Sequence, residues 1–285
     1  MRINTNVSSL NAQESANQVG RNLQNSLEKL SSGLRINKAS DDASGLAIAD
    51  KLRTQASSIG QSISNGNSAV ALTQIADKAM AEQSNILDII KTKLLQAATA
   101  TTSSKGREAI AKDVDKLLDQ LNNIAIQTNY NGIQLLQAGT TANGSAAASL
   151  TFQMGETSAN TISTSSGVTA NVNGLSLSTL KTAVGTASSF TASAATTGLS
   201  AIDTALNTLN GWRSDFGSTQ NQLESAIRNL STQQTNIKAA ESVIRDVDYA
   251  SESANFNKQN IVAQAGTYAM SQANTIQQNV LRLLQ

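Results

Sequence analysis

The sequence predicts a mainly α protein: an elongated antiparallel helical bundle or coiled coil, with a small β-hairpin at its tip and paired terminal helices. Three observations lead there. Proline is absent from all 285 residues, so nothing interrupts a helix at the cost of about 3 kcal/mol that proline carries. Aromatic residues make up 3% of the chain within a hydrophobic content of 39%, which suits narrow seams of Leu, Ile, Val and Ala better than a wide globular core. Between Ile202 and Val247 an apolar residue recurs at every seventh position: Ile202, Leu209, Phe216, Leu223, Leu230, Ile237 and Ile244. The positions four residues after each, Leu206, Arg213, Gln220, Ile227, Gln234 and Glu241, are mixed. Such a repeat describes one helix, roughly 70 Å long at about 1.5 Å per residue, that lays a narrow stripe against its neighbours. A surface helix of an ordinary bundle is the alternative, but compact globules rarely hold a helix of that length.

The remaining elements follow in chain order. From Ile3 to Ile36 the spacing of Val19, Leu23, Leu27, Leu30 and Leu34 predicts a helix with one buried face. Gly33 and Asn37 can end it. Asp41 and Asp42 then offer carboxylates at a helix start, where the dipole favours them; two aspartates without further ligands nearby read as caps rather than as a metal site. A second helix is expected over about Ser44 to Ala98, with Leu52, Ile59, Ile63, Val70, Ile75, Ala79, Ile86, Ile90 and Leu94 as its stripe. Thr99 to Lys105 is a polar turn. A third helix carries Ile110, Val114, Leu117, Leu121 and Ile124, and ends at the turn signal Asn129-Tyr-Asn-Gly132.

Composition shifts after that turn. Between Asp119 and Asp203 the only charges are Glu156 and Lys181, while Ser, Thr, Ala, Asn and Gly crowd in. Within this stretch Ser149 to Met154 and Asn173 to Ser178 alternate apolar and polar residues, which predicts the hairpin, and Thr186 to Thr197 reads as a loop. The segment is expected to face solvent, to add almost nothing to the core and to tolerate change; its hydroxyls are either a solvated surface or a glycan-bearing one. The last stretch, Ala250 to Gln285, has only Glu252, Lys258 and Arg282 as charges, with Val262, Ala269, Ile276 and Leu283 at every seventh position. So few charges suit a helix covered on several sides. With few partners in their own chain, both ends are expected to order only when copies meet.

Function classes narrow quickly. Without cysteine or histidine the chain has no disulfide framework, thiol nucleophile, Cys/His zinc site or imidazole base. A net charge of +1 and no basic stripe argue against nucleic acid. No stretch approaches 18 apolar residues, and residues 1–10 hold no apolar core of secretory-leader length, so neither a membrane span nor a cleaved signal is expected. The acids are scattered on helices beside Lys or Arg, as on solvated faces, so no catalytic residue and no cofactor is expected.

Both ends of the chain closely resemble bacterial flagellin. The residues that carry the likeness are Ile3-Asn-Thr-Asn6, Leu30-Ser-Ser-Gly-Leu-Arg-Ile-Asn37, Asp41-Asp42 before Gly45-Leu-Ala-Ile-Ala49, and Asn131-Gly132. Towards the other end they are Asp246-Val-Asp-Tyr-Ala-Ser-Glu252, Gln264-Ala-Gly266, Gln272-Ala-Asn274 and Asn279-Val-Leu281. The likeness spans about residues 1–140 and 198–285 and extends to flagellins of the Campylobacter and Helicobacter group.

The resemblance implies a subunit that polymerises with itself into the flagellar filament used for swimming, leaves the cell unfolded through the flagellar type III channel, and meets an export chaperone, a cap and hook-filament junction proteins. A hook-filament junction protein of the same superfamily is the alternative function. It implies three regions: an inner-tube coiled coil of 1–44 with 250–285, an outer-tube bundle of 45–138 with 198–249, and a reduced variable segment of 139–197. The contacts between subunits are expected at Leu23, Leu27, Leu30 and Leu34 and at Val262, Ala269, Ile276, Val280 and Leu283. Some flagellins carry a zinc protease in the middle segment, which needs His-Glu-x-x-His and therefore histidine. Where flagellins sensed by the animal Toll-like receptor carry Arg, Glu and Leu, this chain has Ile89, Thr92 and Lys93, a degenerate set that weighs against innate-receptor recognition.

Overall fold

The computed structural model describes residues 5–142, 144–164 and 167–283. Its elements are α1 (Val7–Ser32), α2 (Ala43–Ala98), α3 (Ser104–Gln127), β1 (Asn129–Tyr130), β2 (Ile133–Gln134), β3 (Thr151–Gln153), β4 (Thr161–Ser163), α4 (Ser178–Gly185), a 3-10 turn (Ala187–Ser189), α5 (Ala192–Arg245) and α6 (Tyr249–Leu283). β1 pairs antiparallel with β2, and β3 with β4. The chain separates into two compact units, one of Met1–Ser57 with Thr235–Gln285 and one of Ser58–Gln234; the boundary falls inside α2 and α5.

In the central unit α2 and α5 run antiparallel, since Lys91 pairs with Asp203 and Asp77 with Arg213. α3 lies antiparallel to α2, with Lys93 paired to Asp113. The seven-residue seam of α5 is buried from Ile202 through Leu209, Phe216 and Leu223 to Leu230. Ala195 extends that seam by one repeat, and Gly198, Ala205, Trp212 and Thr219 form the second inward register, small except at Trp212. Gly198 permits close approach: a Cβ there would stand 2.8 Å from Leu180 Cδ1 and 3.1 Å from Leu94 Cδ1.

Facing that seam, α2 buries Ile59, Ile86, Ile90 and Leu94 as its periodicity predicts, but Leu72, Ala76, Met80 and Leu87 are buried as well while Ile75 is exposed. In α3 the buried face is Ala111, Val114, Leu118, Leu121 and Ala125, one residue round from the expected Leu117 and Ile124. Ala76, Ala111 and Ala125 account for part of both shifts: alanine fits where two helices approach closely, and such positions carry little hydrophobic signal.

Residues 139–197 depart most from expectation. Thr151–Gln153 pairs with Thr161–Ser163, not with Asn173–Ser178. The latter forms tight turns in which Gly174 N donates to Asn171 Oδ1 and Ser176 takes φ 59°; Leu175 and Leu177 both point inward, on one side as the alternation predicts, but from turns and not from a strand. The expected loop over Thr186–Thr197 is instead the 3-10 turn and the first turn of α5, with Thr191 Oγ1 accepting from Ala194 N. Nor does the segment merely face solvent. Val168, Ala170, Val172, Leu175, Leu177, Leu180, Val184 and Phe190 belong to the same buried cluster as α2, α3 and α5.

Buried amides hold this irregular backbone in place. Gln83 Nε2 donates to Leu121 O (3.1 Å) and Ala170 O (2.7 Å), and Val172 N donates to Asn122 Oδ1 (2.9 Å). Asn171 Nδ2 donates to Gln137 Oε1 and to Gly144 O, each at 2.8 Å. Side chains thus supply partners that a sheet would otherwise supply. Truncating Leu175, which is 1% exposed, should therefore cost about 2–5 kcal/mol of stability. Urea unfolding followed by far-UV circular dichroism measures this; a loss within about 0.5 kcal/mol, the range of an ordinary surface substitution, would make the segment peripheral after all.

Candidate functional site on the terminal helices

The unit built from the chain ends pairs α1 with α6. The two helices run antiparallel: Asn6 Nδ2 donates to Ala273 O, and Gly33, after the other end of α1, lies against Tyr249. Asn6 caps α1 by accepting from Ser9 N (3.2 Å), a position that leaves α1 shorter than the Ile3–Ile36 expected. Both ends are thus helical against each other within a single chain, where the sequence suggests ordering only between copies.

A clasp closes the other end of the pair. Gly33 ends α1 in the left-handed region (φ 74°), its N–H donating to Lys29 O, and a Cβ there would meet Tyr249 Oη at 3.0 Å. Leu34 forms an antiparallel bridge with Asp246; Arg35 N donates to Arg245 O (2.7 Å) and Val247 N to Gly33 O (3.0 Å). Asp42 Oδ1 accepts from Gly45 N (2.9 Å) and so caps α2, as its place before the helix predicts. Asp41 Oδ2 accepts from Lys38 N (3.0 Å) and Asn37 N (3.1 Å). Among the described residues no group of three or more His, Cys, Asp and Glu is placed to hold a metal.

The faces these helices turn to each other mix small residues with a few large apolar ones. On α6 the less exposed positions are Phe256, Gln259, Ala263, Gly266, Met270 and Ala273; on α1 they are Ser9, Ala12, Ala16, Val19, Leu23, Ser26 and Leu30, at the alternating three-four spacing of a coiled coil. Several large aliphatics lie outside that seam. Ile261 is 67% exposed, Ile276 55% and Val262 43%, with Tyr268 and Ala269 exposed beside them. On α1 Val7, Leu10 and Leu27 are exposed. Of the contact residues expected from sequence, Leu23, Leu30 and Leu34 are half-buried within the chain, and Leu27, Val262, Ala269 and Ile276 stand open. The side chains of Val280 and Leu283 lie outside the described residues. Gln259, Ala263, Gly266 and Ala273 are the partners that sequence reasoning missed; their only signal is spacing, because none is strongly apolar.

Ile89, Thr92 and Lys93 sit on α2 in the other unit. Ile89 is exposed, Thr92 Oγ1 donates to Ile89 O, and Lys93 Nζ is held 2.7 Å from Asp113 Oδ2.

Residues 3–141 match the bacterial flagellin N-terminal helical region and residues 199–284 the bacterial flagellin C-terminal helical region. A flagellin of Bacillus subtilis (strain 168) is 36% identical over an alignment that takes in 100% of both chains. The chain belongs to the bacterial flagellin family. Flagellin B of Helicobacter pylori (strain J99) is 48% identical over 170 residues, 60% of this chain, so the expected likeness to Helicobacter flagellins holds. That alignment takes in only 32% of the Helicobacter protein. A solved structure from Vibrio parahaemolyticus, titled as a flagellar hook-associated protein, has a TM-score of 0.62 over 72% of this chain and 99% of its own, at 15% identity, and shares the fold.

The ionic contacts of this flagellin define its response to pH. Backbone donation from Lys38 and Asn37 holds the Asp41 carboxyl below the ordinary carboxylate value, and the Lys93 hydrogen bond does the same for Asp113. Burial works against the Lys181 ammonium, but hydrogen bonds to Asp115 (2.6 Å) and Asp119 (2.7 Å) and their charges outweigh it and raise its pKa. A carboxyl lowered by folding stabilises above its unfolded pKa, and that contribution is lost as pH falls; a raised lysine stabilises until pH climbs through its folded value. Histidine, the residue whose ordinary pKa lies near neutrality, is absent. Thermal unfolding scans should therefore give a melting temperature that is flat between about pH 5.5 and 8.5, falls below the ordinary carboxylate range and falls again above about pH 10.

Proposed function

We propose that this chain is the repeating subunit of a bacterial flagellar filament, a structural protein that acts through assembly with copies of itself. One observation carries the reading. The helical pair at the chain ends leaves Ile261, Val262, Tyr268 and Ile276 outside its seam, on a helix whose only charges are Glu252, Lys258 and Arg282. An apolar stripe of this kind marks a protein contact surface, and burying each aliphatic gains about 1.5–3 kcal/mol. A second copy is the occupant that fits, because α1 presents Val7, Leu10 and Leu27 on its own outer face and the same surfaces recur on every copy. Contacts between non-identical patches propagate as open helical filaments where the rotation between copies does not close into a ring. Family membership supports the same occupant.

On this reading Leu23, Leu27, Leu30 and Leu34 and Val262, Ala269, Ile276, Val280 and Leu283 line contacts between subunits. The inner tube takes 1–44 with 250–285, the outer tube 45–138 with 198–249, and 139–197 is the reduced middle segment. The subunit is extracellular and swimming depends on it. Export is through the flagellar type III channel, and the absence of cysteine leaves nothing to cross-link on the way out. An export chaperone, a cap and hook-filament junction proteins are its further partners. Lys93 engaged by Asp113, with Ile89 and Thr92 beside it, offers an innate receptor no Arg-Glu-Leu contact set.

Some exposed hydroxyls carry O-linked sugars on this reading. Exposed acceptors include Thr151, Thr161 and Ser163 on the β3–β4 hairpin and Ser188 in the 3-10 turn, whereas the hydroxyls of Thr186, Ser189, Thr196 and Thr197 donate to nearby backbone carbonyls. Intact-mass measurement of filaments sheared from cells should exceed the 29.7 kDa of the bare chain; equality would remove the sugars from the account.

Assembly itself is tested by Ile276→Asp. A carboxylate buried without a partner costs several kcal/mol, so electron microscopy should show no filaments while far-UV circular dichroism of the monomer stays that of the wild type. Normal filaments from this variant would mean that the stripe is not an interface. Wild-type polymers that remain short would favour the hook-filament junction role instead.

A further inference from the structure

The sequence contains five Asn-Gly pairs, at Asn65, Asn131, Asn143, Asn173 and Asn210. An Asn-Gly pair is chemically reactive because the glycine has no side chain to shield its backbone nitrogen, which can attack the preceding asparagine side chain. Whether it does depends on what that nitrogen is otherwise doing.

In this fold four of the five glycine N–H groups are committed. Gly66 and Gly211 lie inside α2 and α5, where the N–H belongs to the helical ladder. Gly144 N donates to Thr141 O (3.1 Å), and Gly174 N to Asn171 Oδ1 (2.8 Å). Gly132 differs. It sits with Asn131 at the centre of the β1–β2 turn, both at positive φ (51° and 81°) and both exposed, and its N–H has no acceptor among the described residues. The hairpin's two strands are two residues each and Asn131 and Gly132 stand exposed at its tip, so the turn itself can flex while Tyr130 and Leu135 stay packed, which lets the Asn131 backbone rotate toward the reacting geometry.

We propose that Asn131 is a modification site: it deamidates spontaneously, ahead of every other Asn-Gly pair in the folded protein. The Gly132 N–H loses its proton to base, and the nitrogen attacks Asn131 Cγ. The Cγ–Nδ2 bond breaks and ammonia leaves with the added proton, closing a five-membered succinimide. Water then opens the ring at either carbonyl, giving aspartate or isoaspartate. No oxidant, cofactor or enzyme is needed. The product carries a new negative charge beside the exposed Ile133, and in the isoaspartate form one extra methylene in the backbone of a two-residue turn.

The test uses the full wild-type chain held at mildly alkaline pH, native in one arm and in concentrated urea in the other, with peptide mapping by mass spectrometry over time at all five pairs. In the native arm Asn131 should convert at least roughly fivefold faster than each of the other four, the factor that one net hydrogen bond to the attacking N–H carries. In urea the five rates should converge. Labelling by a protein isoaspartyl methyltransferase should accumulate in native wild type and drop to background in Asn131→Gln, whose longer side chain cyclises poorly. Equal native rates at the five pairs, a different pair in the lead, or no native conversion while the urea arm converts would each overturn the proposal.

Discussion

The close antiparallel approach of α2 and α5 is the constraint on which the central unit depends. Gly198 leaves room for Leu94 and Leu180 to meet over its backbone, and Ala76, Ala195 and Ala205 keep the helices near enough for Ile202, Leu209 and Leu223 to be fully covered. α3 then completes a three-helix core through Leu118 and Leu121. Two long apolar stripes alone would make a thin seam. What thickens it is residues 139–197, whose Leu175, Leu177, Leu180 and Phe190 close the side of the bundle that no long helix covers.

That a nearly uncharged Ser, Thr, Asn and Gly segment can be core follows from how its polar groups are satisfied. Its backbone makes few ladder bonds, so the buried amides of Gln83, Asn122, Gln137 and Asn171 take up its carbonyls and N–H groups. Each such amide would cost a few kcal/mol if left unpaired in the interior. Lys181, the one cation in the stretch apart from which only Glu156 is charged, is held by Asp115 and Asp119 of α3. Low charge in this segment reflects burial, not looseness.

The terminal unit solves the opposite problem. α1 and α6 meet through Ala12, Ala16, Ser26, Ala263, Gly266 and Ala273 together with Val19, Leu23, Leu30, Phe256 and Met270. Val7, Leu10, Ile261 and Ile276 stay out of that seam and are exposed. The clasp between Gly33, Leu34 and Arg35 and residues 245–247 ties the two ends of the sequence to one another at the base of the pair. That tie joins segments separated by more than two hundred residues of chain.

Sequence alone determined the helices. Heptad spacing at Ile202 to Leu230, the absence of proline, the Asp42 cap, the Gly33 stop and the Asn131-Gly132 turn are local properties of the chain, and local geometry obeys them. The residues that carry the family resemblance were equally legible, because they are read one by one. Only the tertiary structure decided which face of each helix points inward. Ala76 and Gly266 are invisible to a hydrophobic count but sit where helices touch, whereas Ile75 and Ile276 score highly and face out. It decided as well that Thr151–Gln153 pairs with Thr161–Ser163 and that Asn173–Ser178 turns inward. Strand partners and buried amide contacts join residues tens of positions apart, and no property of either residue's neighbours in sequence encodes that meeting.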